Sequence, residues 1–199
     1  VSAWLAKPVL EGELVRLRPF CEEDLVPMGR ALADPEVLRM TGSVHSPEEA
    51  EGRPSVLDEA GVAWYRSRNE AADRLDLALV DRSLGTCVGE AVLNDYDAGN
   101  MSCNFRILIG PEGRERGLGT EATRLVVQYG FEMLGLHRVE LSAYAFNERA
   151  LRVYEKVGFR TEGVLREAFR FGESWVDVII MALLASEWPA RRQVTEGTE

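Results

Sequence analysis

The residues best placed to do chemistry lie between Asn104 and Phe159. Arg114-x-x-Gly117-x-Gly119 stands directly before an amphipathic helical pattern, so successive backbone N–H groups and the positive end of a helix dipole can converge on one anion. Glycines let a backbone approach phosphate closely. Arg114 and Arg116 either add charge to that contact or pair with Glu112 and Glu115 in a solvated loop. Two common phosphate motifs fit poorly. Gly117-x-Gly119-x-x-Ala122, with Glu140 beyond it, formally satisfies a dinucleotide fingerprint, but residues 110–116 separate it from the preceding strand, which that motif follows almost at once. A P-loop needs Gly-Lys-Ser/Thr, and Gly119-Thr120 lacks the lysine.

The elements that must hold these residues are readable from periodicity and breakers. Leu14–Arg18 alternates as a strand, and Leu25, Met28 and Leu32 space a helix over Glu22–Ala33, weakened by Pro27 and Gly29. Asp34-Pro35 ends that helix or starts a second short one. Ser46-Pro47-Glu48-Glu49 is a helix start, and helical tendency resumes after Pro54 towards Ala72. Strands at Leu75–Val80, from Thr86, and at Met101–Ile109 are joined by short turns and predict an antiparallel meander. The following helix places Ala122, Leu125, Val126, Tyr129 and Met133 on a buried face, with Glu121, Arg124, Gln128 and Glu132 opposite and Gly135 as its cap. Arg138–Tyr144 is a strand; Asn147 caps a further helix that Gly158 ends. Arg166–Phe171 then pairs with Trp175–Leu183 through Gly172-Glu173-Ser174. The order predicts one mixed α/β domain over residues 10–188, with 189–199 a disordered tail lacking an apolar anchor.

Composition narrows the partners. The 199 residues carry a net charge of -10, which argues against nucleic-acid backbone binding and leaves cationic small molecules or basic peptides open. Cys21, Cys87 and Cys103 lack metal-ligand spacing and read as buried thiols of a cytoplasmic protein, with no metal site. No membrane span or signal peptide is expected.

The loop is not alone. Asn147-x-x-Ala150-x-x-x-Tyr154-x-x-x-Gly158-Phe159 follows it one helix and one strand later, and the pair resembles the signature of the GNAT superfamily of acetyl-CoA-dependent N-acetyltransferases. The wording of GPEGRERGLGTEA and NERALRVYEKVGFRTEG is most similar to the branch of ribosomal-protein N-terminal and spermidine acetyltransferases. The resemblance implies a GNAT-like, mostly antiparallel sheet flanked by helices. It implies acetyl-CoA as donor, its pyrophosphate on Arg114, Glu115, Arg116, Gly117, Leu118, Gly119 and Thr120. Its pantetheine arm would lie along Ile107, Leu108 and Ile109, with the N–H of Leu108 or a neighbour stabilising the oxyanion. Asn147 would bind a pantetheine amide or serve only as an N-cap; Tyr154 would protonate the departing thiolate or serve only as a packed aromatic.

Related sequences often carry Glu where this chain has Asn104, which cannot act as a base. Glu90 and Asp95, on the neighbouring strand, are the remaining carboxylate candidates. Acids at Glu48, Glu49, Glu51, Asp58 and Glu59 near Trp64 and Tyr65 could hold a cationic acceptor, or be a solvated surface. The expectation is acetyl transfer to a primary amine, a protein N-terminus or a polyamine- or aminoglycoside-like amine, by direct attack. Alternatives are a non-catalytic acyl-CoA sensor and transfer of a longer acyl group. An exposed apolar C-terminal hairpin would suit a homodimer.

Overall fold

A computed structural model describes residues 4–188; the tail expected to be disordered lies outside them. Two short strands, β1 (Leu10–Glu11) and β2 (Val15–Arg18), precede four helices: α1 (Leu25–Ala33), α2 (Pro35–Met40), α3 (Pro47–Ala50) and α4 (Glu59–Arg68). The meander β3 (Leu75–Asp81), β4 (Thr86–Asp97) and β5 (Ser102–Ile109) leads into α5 (Leu118–Glu132). Then come β6 (Arg138–Tyr144), α6 (Glu148–Val157), β7 (Arg160–Phe171) and β8 (Ser174–Leu184). One eight-stranded sheet runs β1-β2-β3-β4-β5-β6-β8-β7, antiparallel at every junction except β5–β6.

The two cores follow from strand alternation. Leu75, Leu77 and Leu79 of β3 point into a large core shared with Leu118, Ala122 and Val126 of α5. Ala78 points the other way, into a smaller core with Met28 and Ala31 of α1 and Tyr65 of α4. β3 is therefore buried on both faces.

The β5–β6 junction opens the sheet. Its pairing covers Ser102↔Arg138, Cys103↔Val139 and Asn104↔Glu140, and ends there. β6 stays with β8 through Tyr144↔Val178, while β5 stays with β4 through Ile109↔Gly89. The strands splay, and the edge of β5 from Phe105 to Ile109 faces an open cleft.

Several local expectations need correction. Met133 is 65% exposed, because α5 ends at Glu132 and Met133 is its C-cap. The hairpin turn is Gly172-Glu173 alone, since Ser174 already pairs with Phe171. The helix begun at Ser46 lasts one turn, and α4 starts only where Asp58 caps it through the Gly61 N–H. Glu121, assigned to the solvent face, accepts the N–H groups of Glu13, Leu14 and Val15 and ties β2 to α5. Cys21 is exposed; Cys87 and Cys103 are buried.

Candidate active site

The loop between β5 and α5 has the expected form. Gly113 and Arg114 donate their N–H groups back to Gly110 and Pro111, and Glu115 (φ 60°) and Gly117 (φ 81°) are left-handed. Thr120 and Glu121 make the first helical bonds, both to the Gly117 carbonyl, so the amides of 115–119 precede the helix ladder. Successive amides in such a turn form an anion-binding concavity at a helix N-terminus. A Cβ on Gly119 would stand 3.1 Å from Ile109 Cδ1, so the helix start packs closely on β5.

The arginine side chains do something else. Arg114 pairs with Asp34 and, at 2.7 Å, with Glu36; Arg116 pairs with Asp81 and donates to Ser83 Oγ at 2.7 Å. Their carboxylate partners are thus Asp34, Glu36 and Asp81, not Glu112 and Glu115. The reason is tertiary: Asp81, at the end of β3, is buried and needs a counter-charge, and the α1–α2 junction brings Asp34 and Glu36 against the loop. Burial opposes ionisation of Asp81, but its bonds from Ser83 and Arg116 prevail and hold the carboxyl below its ordinary value. Arg114 lines the cleft; Arg116 does not.

The cleft holds a cavity of about 640 Å³ running from Gly117–Thr120 along Phe105–Ile109 to Tyr144 and Phe169. Backbone direction within β5 can be assigned. Gly110 donates to Val88 on β4 at 2.8 Å, and peptide groups alternate sides along a strand, so Leu108 also turns towards β4. The N–H groups that face the cleft belong to Ile107 and Ile109. Of the N–H groups expected to supply an oxyanion donor, that of Leu108 turns to β4 and those of its neighbours turn to the cleft.

Asn147 caps α6, its Oδ1 accepting the Ala150 N–H at 3.2 Å, and also lines the cavity. Tyr154 lies two turns into α6, between Phe105 and Phe159, with its side chain in the cavity wall. Burial pushes its hydroxyl up to about 12, so it stays protonated at neutral pH and can act as a proton donor.

The two candidate carboxylates part company. Asp95 is exposed, in a left-handed turn (φ 54°) where the β4–β5 register shifts, and is bonded by Asn94; it lies outside the cavity. Glu90 is 3% exposed and lines the cavity opposite Leu108. It accepts from Tyr65 Oη at 3.2 Å and Arg106 Nη2 at 3.0 Å, and burial raises its pKa despite the Arg106 charge. Asn104 also lines the cavity and donates to Asn94 Oδ1 at 2.9 Å.

None of the acids Glu48, Glu49, Glu51, Asp58 and Glu59 lines this cavity. Asp58 is a helix cap, Glu49 accepts the His45 N–H, and the Trp64 face is covered by Arg68 at 4.5 Å. Tyr65 is buried. The far end of the cavity is walled by Met40, Thr41, Tyr144, Ala168 and Phe169, none of which the sequence pattern singled out. Ala168 and Phe169 reach it because β7 bulges between Leu165 and Phe169, with Glu167 left-handed (φ 51°).

Among the described residues no group of three or more His, Cys, Asp or Glu side chains could hold a metal ion, and no helix is long and apolar enough to cross a membrane. Comparison with known proteins gives a family match and relatives consistent with this geometry. The family described as "Acetyltransferase (GNAT) domain" matches residues 15–160. Spermidine N(1)-acetyltransferase of Escherichia coli K12 is 29% identical over 142 residues, 67% of this chain and 76% of its own length. "Probable N-acetyltransferase YjcK" of Bacillus subtilis 168 is 42% identical over 124 residues, 62% of this chain and 68% of its own. The fold also matches a crystal structure of Vibrio cholerae spermidine N-acetyltransferase in complex with CoA and spermine (TM-score 0.72, 22% identity, covering 88% of this chain and 98% of that one).

Proposed function

Because the chain belongs to the GNAT acetyltransferase family, whose members draw on acetyl-CoA, we propose that it transfers an acetyl group from acetyl-CoA to a primary amine by direct attack in a ternary complex. The acceptor is a protein N-terminus or a small polyamine- or aminoglycoside-like amine. The observation that carries this reading is the splayed β5–β6 junction: the open edge of β5, Glu115 and residues 117–119 of the amide loop, and Tyr154 all border one cavity.

The residues fit the donor by position. The amides of 115–119 would hold the pyrophosphate, Ile107 and Ile109 the pantetheine arm and thioester oxygen, and Asn147 a pantetheine amide. Tyr154 would protonate the leaving thiolate. We place the reaction in the cytoplasm, where the free thiols of Cys21, Cys87 and Cys103 would stay reduced. Val164, Leu165 and Trp175, exposed on the β7–β8 hairpin, are the surface on which a second copy would pair; sedimentation at two concentrations tests it.

Thiol release from acetyl-CoA, followed across a panel of peptides, polyamines and aminoglycosides, tests the reading. Amine-dependent release with matching N-acetyl product is expected. Tight CoA binding with no release on any acceptor would favour a sensor, and release only with longer acyl-CoA would reassign the donor.

A further inference from the structure

We propose that Glu90 accepts the proton of the attacking ammonium and that Tyr65, carried by α4, is a positioning residue that with Arg106 holds the Glu90 carboxylate at the cavity wall. The inference rests on the acetyl-transfer reading above.

Tyr65 is the one buried residue of α4. Its ring stands 4.8 Å from those of Phe20 and Trp64, and its hydroxyl ends on Glu90 Oε2. The helix thus delivers a single side chain to the interior, and that side chain ends on a carboxylate. Arg106, reaching from β5, takes Oε1. Each carboxylate oxygen can accept two hydrogen bonds, so each keeps capacity for a substrate proton on a group that borders the cavity. Leaving a carboxylate this deeply buried is costly unless it is paired, and the pairing here comes from two elements, α4 and β5.

The other groups around Glu90 are accounted for. Arg74 and Asp76, on the β3 side, bond each other at 2.7 Å; Cys87 lies on the same strand; α1 contributes the apolar Met28 and Ala31. Burial raises the Glu90 pKa, Asp76 adds to that, and Arg106, Tyr65 and Arg74 oppose it. A carboxylate whose pKa is raised towards neutrality is a better base than an exposed one.

The step balances. Glu90 takes one proton from the ammonium, directly or through one water, and the amine nitrogen bonds to the acetyl carbon. The nitrogen then loses its second proton to solvent as the C–S bond breaks, and Glu90 passes its own proton to solvent before the next turnover. The sulfur leaves with the bonding pair and takes a proton from Tyr154, which is reprotonated from solvent. Per turnover, one proton ends on sulfur and one in solvent.

The test is the pH dependence of kcat and kcat/KM, with CoA affinity measured in parallel, for the wild type, Glu90→Gln, Tyr65→Phe and Arg106→Lys. Glu90→Gln should lose about 100-fold or more in kcat, lose the acid limb of the profile, and bind CoA as the wild type does. Tyr65→Phe removes a bond that favours the ionised carboxylate, so the acid limb should move to higher pH; Arg106→Lys, which keeps the charge, should largely preserve it. Should Glu90→Gln not fold, Glu90→Asp, with a shortened arm, should lower kcat at least about tenfold. A Glu90→Gln enzyme with wild-type rate and acid limb, or a Tyr65→Phe enzyme that is less stable with an unmoved limb, overturns this inference and leaves acetyl transfer standing. A wild type that binds CoA and acetylates no amine overturns both.

Discussion

The two walls of the cleft are built on different principles. The donor wall, β5 with its loop and the start of α5, works through backbone: left-handed Glu115 and Gly117, amides ahead of the helix ladder, and an unpaired strand edge. The acceptor wall, α2 with α4, β4 and the β7 bulge, works through side chains that meet across long sequence separations, Tyr65 on Glu90 and Glu36 on Arg114 and Arg149 among them. Backbone sites tolerate wide side-chain variation, whereas side-chain sites can be rebuilt; on the proposed reading the first would hold the donor and the second select the amine.

The largest effect that would break this contrast is at Tyr154, a side chain acting beside the backbone wall. Tyr154→Phe should lower turnover about 100-fold, within the range for a lost general acid, with CoA affinity unchanged by titration; equal turnover would remove it from the mechanism. Next comes Gly117→Val. A β-branched residue held at φ 81° is strained by roughly 1–3 kcal/mol, so CoA affinity should fall about tenfold or more in a folded variant.

Arg116→Ala sharpens the contrast by separating charge from cradle. It should leave CoA affinity within about twofold yet lower stability by roughly 1–2 kcal/mol, because Asp81, 1% exposed, loses a partner. The sign with pH follows. The Asp81 carboxyl is depressed in the folded protein, so its contribution is present above the unfolded value of about 3.9 and fades as pH falls through the folded one. Denaturation of wild type and Arg116→Ala should therefore converge on acidification below about pH 4. The smallest effect is at position 104: Asn104→Ala, which removes an amide already bonded to Asn94, should change turnover by less than about threefold, far short of a lost base.

What was legible in the sequence follows the same division. Glycines at 117 and 158 announce left-handed backbone, Asn147 announces a cap, and strand alternation announces the meander, since all are local. Misreadings arose where a distant partner decides. Glu121 looked solvated until the β1–β2 turn supplied N–H donors more than a hundred residues away. Glu112 and Glu115 are the neighbours that sequence offers Arg114 and Arg116 as partners, but Asp34, Glu36 and Asp81, far along the chain, take that place. Glu90 and Asp95 lie five residues apart on one strand, so alternation alone sets them on opposite faces; which face borders the cavity is decided by the packing of α1 and α4 over it, which nothing local announces. Tyr65 could be seen as an aromatic in an acidic segment, but nothing local says that it reaches β4.

The central claim, that the splayed backbone of the donor wall holds acetyl-CoA, is tested most directly by following backbone amide resonances during CoA titration. The amides of Ile107, Ile109 and residues 115–119 should shift together in a saturable manner, with Leu108, turned towards β4, moving least among its neighbours. Saturable CoA binding that leaves those amides unmoved would contradict the account.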